Sequence, residues 1–204
     1  MDTIIKNTID TLKNTEHGFK HIIEAGDIVM GDASLDHFAE AKELLQHESY
    51  QAGMLGTYIM GQLSPKDKSA LLFLRDNVST DGNWRVQEML AKAFDYYCSA
   101  IGYEKSLQVI KEWLSHENPN TKRAVIEGLR IWTSRPYFKE NPQTAVVLIS
   151  KHKDDASEYL RKSVGNALRD IHKKHKEIVD EELAQWNLQN KNTAFTYKLV
   201  MKNS

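Results

Sequence analysis

Basic side chains recur on three similar segments of this sequence, and their spacing points to anion binding. The three segments run over Arg85–Phe94, Thr121–Arg130 and Leu160–Arg169. When the segments are superimposed, Gln87, Arg123 and Lys162 coincide, which gives steps of 36 and 39 residues. Because Arg and Lys are the usual phosphate ligands, we expect the surface that they line to bind an anion. The candidate contacts are Arg85, Arg123, Arg130, Arg161, Lys162 and Arg169.

Conventional catalytic and metal-binding motifs are missing from the sequence. It contains no Gly-rich phosphate loop, no Cys pair for zinc, no His-Glu-x-x-His and no nucleophile elbow. We therefore expect no cofactor and no metal ion. His172 and His175 are three residues apart, and their Lys-rich surroundings predict a surface position rather than a metal site. The single cysteine, Cys98, excludes a disulfide framework and is expected to be a small core residue.

The elements that carry the basic residues are predicted to be helices in a repeated pair. Each basic segment is followed by a second amphipathic segment, over residues 105–114, 144–152 and 177–186. Helical pairs that recur about every 40 residues are typical of HEAT and armadillo arrays. We therefore predict an all-α fold, a HEAT/armadillo-like α-α superhelix in which stacked pairs form a curved solenoid with one concave surface. No segment shows the alternation of a strand.

The array is expected to form a single domain over residues 1–204. It comprises acidic helical pairs over 1–81, three basic repeats over 82–186, and a C-terminal cap or tail over 187–204. Residues 1–81 hold 7 Lys or Arg and 13 Asp or Glu, whereas residues 82–176 hold 17 and 11. Attraction for nucleic acid depends on local positive surface, so a net charge of −1 does not exclude a DNA partner.

Targeting signals are not evident. No apolar run approaches the ~20 residues that span a membrane. The N-terminal residues lack the basic and then apolar pattern of a signal peptide. We expect a cytoplasmic protein that makes no membrane contact and is a monomer.

At the three basic helices the sequence resembles the AlkC/AlkD-type DNA alkylation repair proteins. The likeness is carried by residues 83–88, 122–128 and 155–170, and it extends roughly from Ser49 to Trp186. The resemblance implies a DNA repair protein of HEAT-like fold. It also implies the activity of a monofunctional DNA glycosylase, a hydrolase that excises N3- or N7-alkylated purines from duplex DNA.

The family chemistry starts from a base that is already cationic, so its glycosidic bond is labile and needs no strong acid. An aromatic face stabilises a cation by roughly 0.5 to 2 kcal/mol, and a carboxylate can stabilise the sugar cation or orient a water. Trp84 and Glu88 match the family's aromatic and catalytic carboxylate, with Glu in place of Asp. Their spacing of four puts both on one helix face. Glu127 and Asp170 are alternative carboxylates, although Asp170 is expected to pair with Arg169.

The resemblance also assigns DNA contacts. Arg123 matches a backbone-contacting Arg of the family, and Arg161, Lys162 and Arg169 are expected to extend the same row. Asn166 stands where the AlkD type has a second Trp, and it is expected to contact DNA as well. The residues that could replace that aromatic are Trp132, Tyr137 and Tyr159.

Three functions therefore remain open. The first is a glycosylase that leaves an abasic site. The second is a DNA-binding module of the same fold that does no chemistry. The third is a protein-interaction scaffold, a common use of HEAT arrays. A concave surface crowded with Lys and Arg would favour the first two.

Overall fold

A computed structural model of the chain describes residues 2–202, without the side chain at position 4, and this part is helical throughout. It contains no strand in the range described, which confirms the predicted all-α class. The first six helices are α1 (Thr3–Leu12), α2 (Lys20–Gly31), α3 (His37–Leu45), α4 (Tyr50–Leu63), α5 (Lys68–Asp76) and α6 (Trp84–Ile101). The remaining helices are α7 (Leu107–Leu114), α8 (Pro119–Gly128), α9 (Pro136–Glu140), α10 (Pro142–Ser150), α11 (Glu158–His172), α12 (Lys176–Leu183) and α13 (Lys191–Val200). Within residues 2–202, no helix is both long enough and apolar enough to pass through a lipid bilayer.

The chain divides into two compact units, the first ending at Ile101 and the second starting at Gly102. Gly102 has φ +96°, a left-handed conformation that glycine adopts without a Cβ clash, and it terminates α6. The division therefore follows the first basic helix instead of preceding it at residue 82. The single-domain organisation over 1–204 stays a prediction.

In the first unit, α4 is the central helix and packs against α2, α3 and α6. Ten of its residues are buried, including three glycines. A Cβ at Gly61 would stand 2.7 Å from Ala93 Cβ on α6, and one at Gly56 would stand 2.8 Å from the Ala41 carbonyl oxygen on α3. The glycines therefore let the neighbouring helices approach α4 closely, which fixes the position of α6.

In the second unit, α11 has the corresponding central role and packs against α8, α10, α12 and α13. A Cβ at Gly165 would stand 2.5 Å from Leu199 Cβ, so α13 lies against the backbone of α11. Trp132 is fully buried, and its Nε1 donates to the Ile126 carbonyl oxygen at 3.2 Å. The C-terminal segment is thus an integral helix, α13, whose start is capped by Asn190.

Four helices begin with the same capping arrangement. In each, the backbone N–H of the N-cap residue donates a hydrogen bond to the side chain of the residue two positions earlier. The N-cap side chain in turn accepts a hydrogen bond from a backbone N–H in the first turn of the helix. The pairs are His47–Ser49, Asp81–Asn83, His116–Asn118 and Asp155–Ser157, with distances of 3.0, 2.6, 3.1 and 2.9 Å. The repeat therefore includes α4 as well as the three basic helices α6, α8 and α11.

This arrangement corrects the predicted register of the repeats. The capping residues Asn83, Asn118 and Ser157 are 35 and 39 residues apart, so the first predicted step of 36 is wrong by one. The second step of 39 is right, and it is longer because the short helix α9 lies between α8 and α10. Arg161, and not Lys162, therefore occupies the buried position of Gln87 on α6.

Candidate nucleic-acid interface

The residues that the sequence assigns to chemistry lie at the start of α6. Trp84 is the first residue of that helix and its side chain is 54% exposed. Glu88 follows one turn later and is half-buried, so the aromatic ring and the carboxylate share one helix face. A half-exposed indole next to a carboxylate is a suitable surface for a flat cation.

Arg85 binds the same aromatic surface. Its guanidinium carbon lies 4.6 Å from the centroid of the Trp84 ring and 4.6 Å from that of Tyr50. Tyr50 is held in turn by a hydrogen bond from its hydroxyl to the Glu16 carbonyl oxygen at 2.8 Å. A guanidinium stacked by its face still presents N–H groups along its edge, which is the geometry that recognises phosphate. Tyr50 was not predicted as part of this site.

Arg123 and Arg161 do not form the exposed basic row that the sequence predicts. Arg123 is 5% exposed, with its guanidinium carbon 4.2 Å from the Tyr159 ring centroid. Arg161 is 7% exposed and donates to the backbone oxygens of Asp155 and Ala156 at 2.5 and 3.0 Å. Gln87 on α6 makes the equivalent bond to the carbonyl six residues before it, at 2.8 Å. Arg161 and Gln87 therefore hold the segments that precede their helices, whereas Arg123 lies against the Tyr159 ring. DNA contact by Arg123 and Arg161 stays a prediction.

The remaining predicted contacts are more exposed. Lys162 is half-exposed and forms an ion pair with Glu158 at 2.7 Å. Arg130 is 44% exposed and bridges Glu127 and Asp170, at 3.5 and 3.2 Å. Asn166 and Arg169 are half-buried and lie one turn apart on α11. DNA binding by these residues remains a prediction.

The two alternative carboxylates are engaged in ion pairs. Glu127 contacts Arg123 at 4.0 Å as well as Arg130. Asp170 pairs with Arg130 and with Lys173, so the expected Arg169 partnership is wrong. Burial opposes ionisation of Asp170, yet hydrogen bonds from Lys173 and Arg130 hold the pKa of its carboxyl below the ordinary value. Glu127 and Asp170 therefore take part in ion pairs with neighbouring basic side chains, and Glu88 remains the candidate that the family position selects.

Only one of the three proposed replacement aromatics is well exposed. Trp132 is fully buried, and Tyr137 is half-buried against Phe138 with ring centroids 5.3 Å apart. Tyr159 is 46% exposed and lies seven residues before Asn166, which is two turns along the same face of α11. Tyr159 is therefore the aromatic that the second unit offers to solvent near Asn166.

Two histidines, His172 and His152, are at least partly buried and lie next to charged side chains. His172 is 6% exposed, and its Nε2 lies 2.9 Å from an Asp180 carboxylate oxygen, so its predicted surface position is wrong. His152 lies near the Lys122–Asp155 ion pair, whose atoms are 2.8 Å apart. Burial, assisted by the charge of Lys122, lowers the pKa of His152 to about 4.

Comparison with known proteins assigns this chain to a family. The sequence profile described as "DNA alkylation repair enzyme" matches residues 29–198. The chain belongs to the DNA alkylation repair enzyme family. The resemblance stated from residues 83–88, 122–128 and 155–170 is thereby confirmed.

Solved structures support the same assignment. AlkD2 from Streptococcus mutans is 47% identical, with a TM-score of 0.91 and 98% of each chain covered. The smu.31 structure from S. mutans UA159 is 46% identical, with a TM-score of 0.89 and the same coverage. The HEAT-like repeat fold predicted from the helical pairs is thus confirmed.

Two further relatives are more distant. The alkylpurine DNA glycosylase AlkC from Pseudomonas fluorescens, solved with DNA containing an abasic site analog, is 20% identical with a TM-score of 0.74. The match covers 98% of this chain and 56% of AlkC, and at this identity it shows the shared fold. The uncharacterized protein YhaZ of Bacillus subtilis is 33% identical over 90 residues, which is 42% of this chain and a quarter of YhaZ.

Proposed function

We propose that this family member is a monofunctional DNA glycosylase that releases N3- or N7-alkylated purines from duplex DNA. The observation that carries the proposal is the half-exposed Trp84 ring with Glu88 one turn further along the same face of α6. This pair offers a cationic base an aromatic face and a negative charge together. Lys162 and Arg169 on α11 are the proposed backbone contacts, and the protein acts as a cytoplasmic monomer without a cofactor.

The proposed reaction breaks the bond between the purine and C1′ of its deoxyribose. The alkylated purine takes the bonding electrons and leaves as a neutral base, while positive charge develops on the sugar ring. Glu88 stabilises that charge and accepts a proton from the water that bonds to C1′. The products are a free base and an abasic site, and the proton acquired by Glu88 returns to solvent.

Arg85 positions the site in this mechanism. Its guanidinium is stacked on both Trp84 and Tyr50, so its N–H edge is held in a fixed place beside the reacting nucleotide. An edge of this kind binds a phosphate oxygen pair. Arg85 would thereby hold the DNA backbone next to Trp84, the adjacent residue in the sequence, whose ring contacts the base.

A second candidate function is DNA binding without excision, and a specific observation favours it. Asn166 occupies the position of the second family Trp, and Arg123 and Arg161 are buried in structural contacts. A protein that has one aromatic residue fewer at the lesion site and fewer phosphate contacts would still bind DNA, but it would bind the alkylated base more weakly. The two functions differ in whether a free base appears.

Substitution of Trp84 tests the aromatic half of the site. Stabilisation of a cation by an aromatic face is worth about 0.5 to 2 kcal/mol. Trp84→Ala should therefore lower single-turnover release of 7-methylguanine from methylated duplex DNA by about 2- to 30-fold. Trp84→Phe should keep part of the activity, because a smaller ring retains a π face. Chromatography of the released bases gives the rate.

The matched control is Leu188→Ala, which removes a side chain of similar exposure (46%) from the segment after α12. It should leave release unchanged. Equal rates for wild type and Trp84→Ala would remove the indole from the mechanism. Release by neither protein, with duplex binding intact, would favour the second candidate function.

A further inference from the structure

A groove in the first unit combines aromatic, cationic and amide side chains, and its lining includes neither Trp84 nor Glu88. Its volume is about 310 Å³, and α2, α4 and α6 all contribute to its walls. The lining side chains that matter are Tyr58 and Gln62 of α4 and Met89, Lys92 and Tyr96 of α6. Tyr96 is 41% exposed, Lys92 is exposed, and Gln62 is half-buried, so aromatic, cationic and amide groups all reach solvent here.

One wall of the groove is rigid. The Tyr58 ring lies directly on the backbone of α2, because a Cβ at Gly26 would come within 2.2 Å of Tyr58 Cδ1. The Tyr58 hydroxyl donates to an Asp27 carboxylate oxygen at 2.5 Å. Burial and this hydrogen bond raise the pKa of the Tyr58 hydroxyl, so the phenol stays neutral at physiological pH. The Tyr58 ring therefore forms a fixed wall of the groove and loses little entropy when a ligand packs against it.

The opposite wall is open and carries the charge. Lys92 lines the groove and is exposed, and its ammonium lies 4.9 Å from the Phe19 ring centroid. Tyr96 lies one turn further along α6, on the same side of the helix. An aromatic ring next to an exposed ammonium suits a ligand that combines a flat ring with a phosphate.

We propose that this groove binds an unpaired nucleotide of DNA, with the base stacked on Tyr96 and its phosphate on Lys92. The Gln62 amide supplies both a donor and an acceptor for the base edge. A base inside a duplex stack exposes neither face, so the ligand must be single-stranded or extruded. A volume of about 310 Å³ is at the lower end of ligand sites, which fits one nucleotide better than a duplex.

The inference rests on the proposed function only in taking DNA as the partner. The groove and the candidate lesion site share helix α6. Their residues follow one another on it at intervals of four, in the order Trp84, Glu88, Lys92 and Tyr96. At about 1.5 Å per residue, Tyr96 lies roughly 18 Å from Trp84 along the axis. The groove would therefore hold a nucleotide other than the alkylated base, and would favour DNA that has a single-stranded stretch beside the lesion.

Binding of a labelled 12-nucleotide single strand and of a duplex of the same length, followed by fluorescence anisotropy, tests the proposal. Because Tyr96→Ala removes the stacking of one base, it should lower single-strand affinity by about 5- to 160-fold. Tyr96→Phe should bind within about twofold of wild type, because the ring is kept. Circular dichroism and thermal melting of both variants establish that they fold.

Salt dependence tests the phosphate contact. Lys92→Gln should reduce the slope of log affinity against log salt by about 0.7 for the single strand. The matched control is Lys66→Gln, an exposed lysine outside the groove, which should leave the slope unchanged. Equal single-strand affinities for wild type and Tyr96→Ala, or equal slopes for the two lysine variants, would overturn the inference.

The two proposals fail separately. If no base is released from alkylated DNA while single-strand binding depends on Tyr96, the nucleotide groove stands and the glycosylase proposal falls. If release occurs and single-strand binding is insensitive to Tyr96, the groove proposal falls alone.

Discussion

At the scale of single residues, the half-buried imidazole of His152 links the stability of the second unit to pH. The pKa of His152 is about 4 in the folded chain against 6.5 when the residue is exposed. Between these values the unfolded chain binds more protons than the folded one. The stability that neutral His152 contributes is therefore complete above pH 6.5 and is lost as pH falls towards 4.

Replacement of His152 should flatten this dependence. The free energy of unfolding should fall between pH 6.5 and pH 4 in both proteins, but less in His152→Gln than in wild type. The difference between the two should be on the order of 1 kcal/mol once solvent screening is considered. Denaturant titrations at several pH values measure the difference. His17→Gln, which changes a histidine side chain that is 78% exposed, should follow the wild-type profile. Identical slopes for wild type and His152→Gln would mean that His152 is not held neutral by its surroundings.

The residue scale is also where sequence reasoning was least complete. The family resemblance selected Trp84 and Glu88, and their spacing of four residues placed them on one face of α6. The burial of Arg123 and Arg161 was not evident, because a guanidinium that stacks on a tyrosine or bonds to backbone carbonyls has the same sequence signature as one that faces solvent. Tyr159 was named as a candidate replacement aromatic, but its contact with Arg123 was not predicted.

At the scale of helices, the glycines of α4 and α11 determine how closely their neighbours pack. Gly61→Ala would bring a methyl group to 2.7 Å from Ala93 Cβ, and both atoms belong to rigid helices. We expect this change to lower the free energy of unfolding by about 1 to 3 kcal/mol. Chemical denaturation gives the value.

The control for this change is Gly31→Ala at the end of α2. Nothing lies within 4 Å of the added methyl group there, so the variant should be neutral or slightly more stable. If Gly61→Ala were as stable as Gly31→Ala, close packing of α6 against α4 would not depend on glycine. The position of the Trp84 site would then need another cause.

The helical repeat was predicted from the sequence, but the register of its first step was wrong by one residue. Apolar periodicity alone allows an error of one residue in the alignment of the repeats, because two alignments that differ by one residue match similar numbers of apolar positions. The capping pairs resolve it: a His or Asp two residues before a Ser or Asn recurs at α4, α6, α8 and α11. This motif was present in the sequence and would have given the steps of 34, 35 and 39 directly.

At the scale of the whole molecule, the helical class and the repeat family followed from the spacing of amphipathic pairs. The short helix α9 was missed because Ser134-Arg135-Pro136 reads as a loop, although proline is well suited to the first turn of a helix. The division after Ile101 was also missed, since Gly102 was not read as a helix terminator. The proposed function was narrowed by the family resemblance of residues 83–88, 122–128 and 155–170, which carries no information on side-chain packing.

The central claim is that Glu88 makes this protein a glycosylase, and one measurement tests it directly. Glu88→Gln keeps the size and hydrogen bonding of the side chain and removes its charge, so folding and duplex affinity should survive. Release of 7-methylguanine or 3-methyladenine from methylated duplex DNA should fall at least tenfold, about 1.4 kcal/mol of barrier. Glu104→Gln, an exposed carboxylate beyond the end of α6, should release base at the wild-type rate. Equal release by wild type and Glu88→Gln would contradict the assignment of Glu88, and no release by the wild type would contradict catalysis itself.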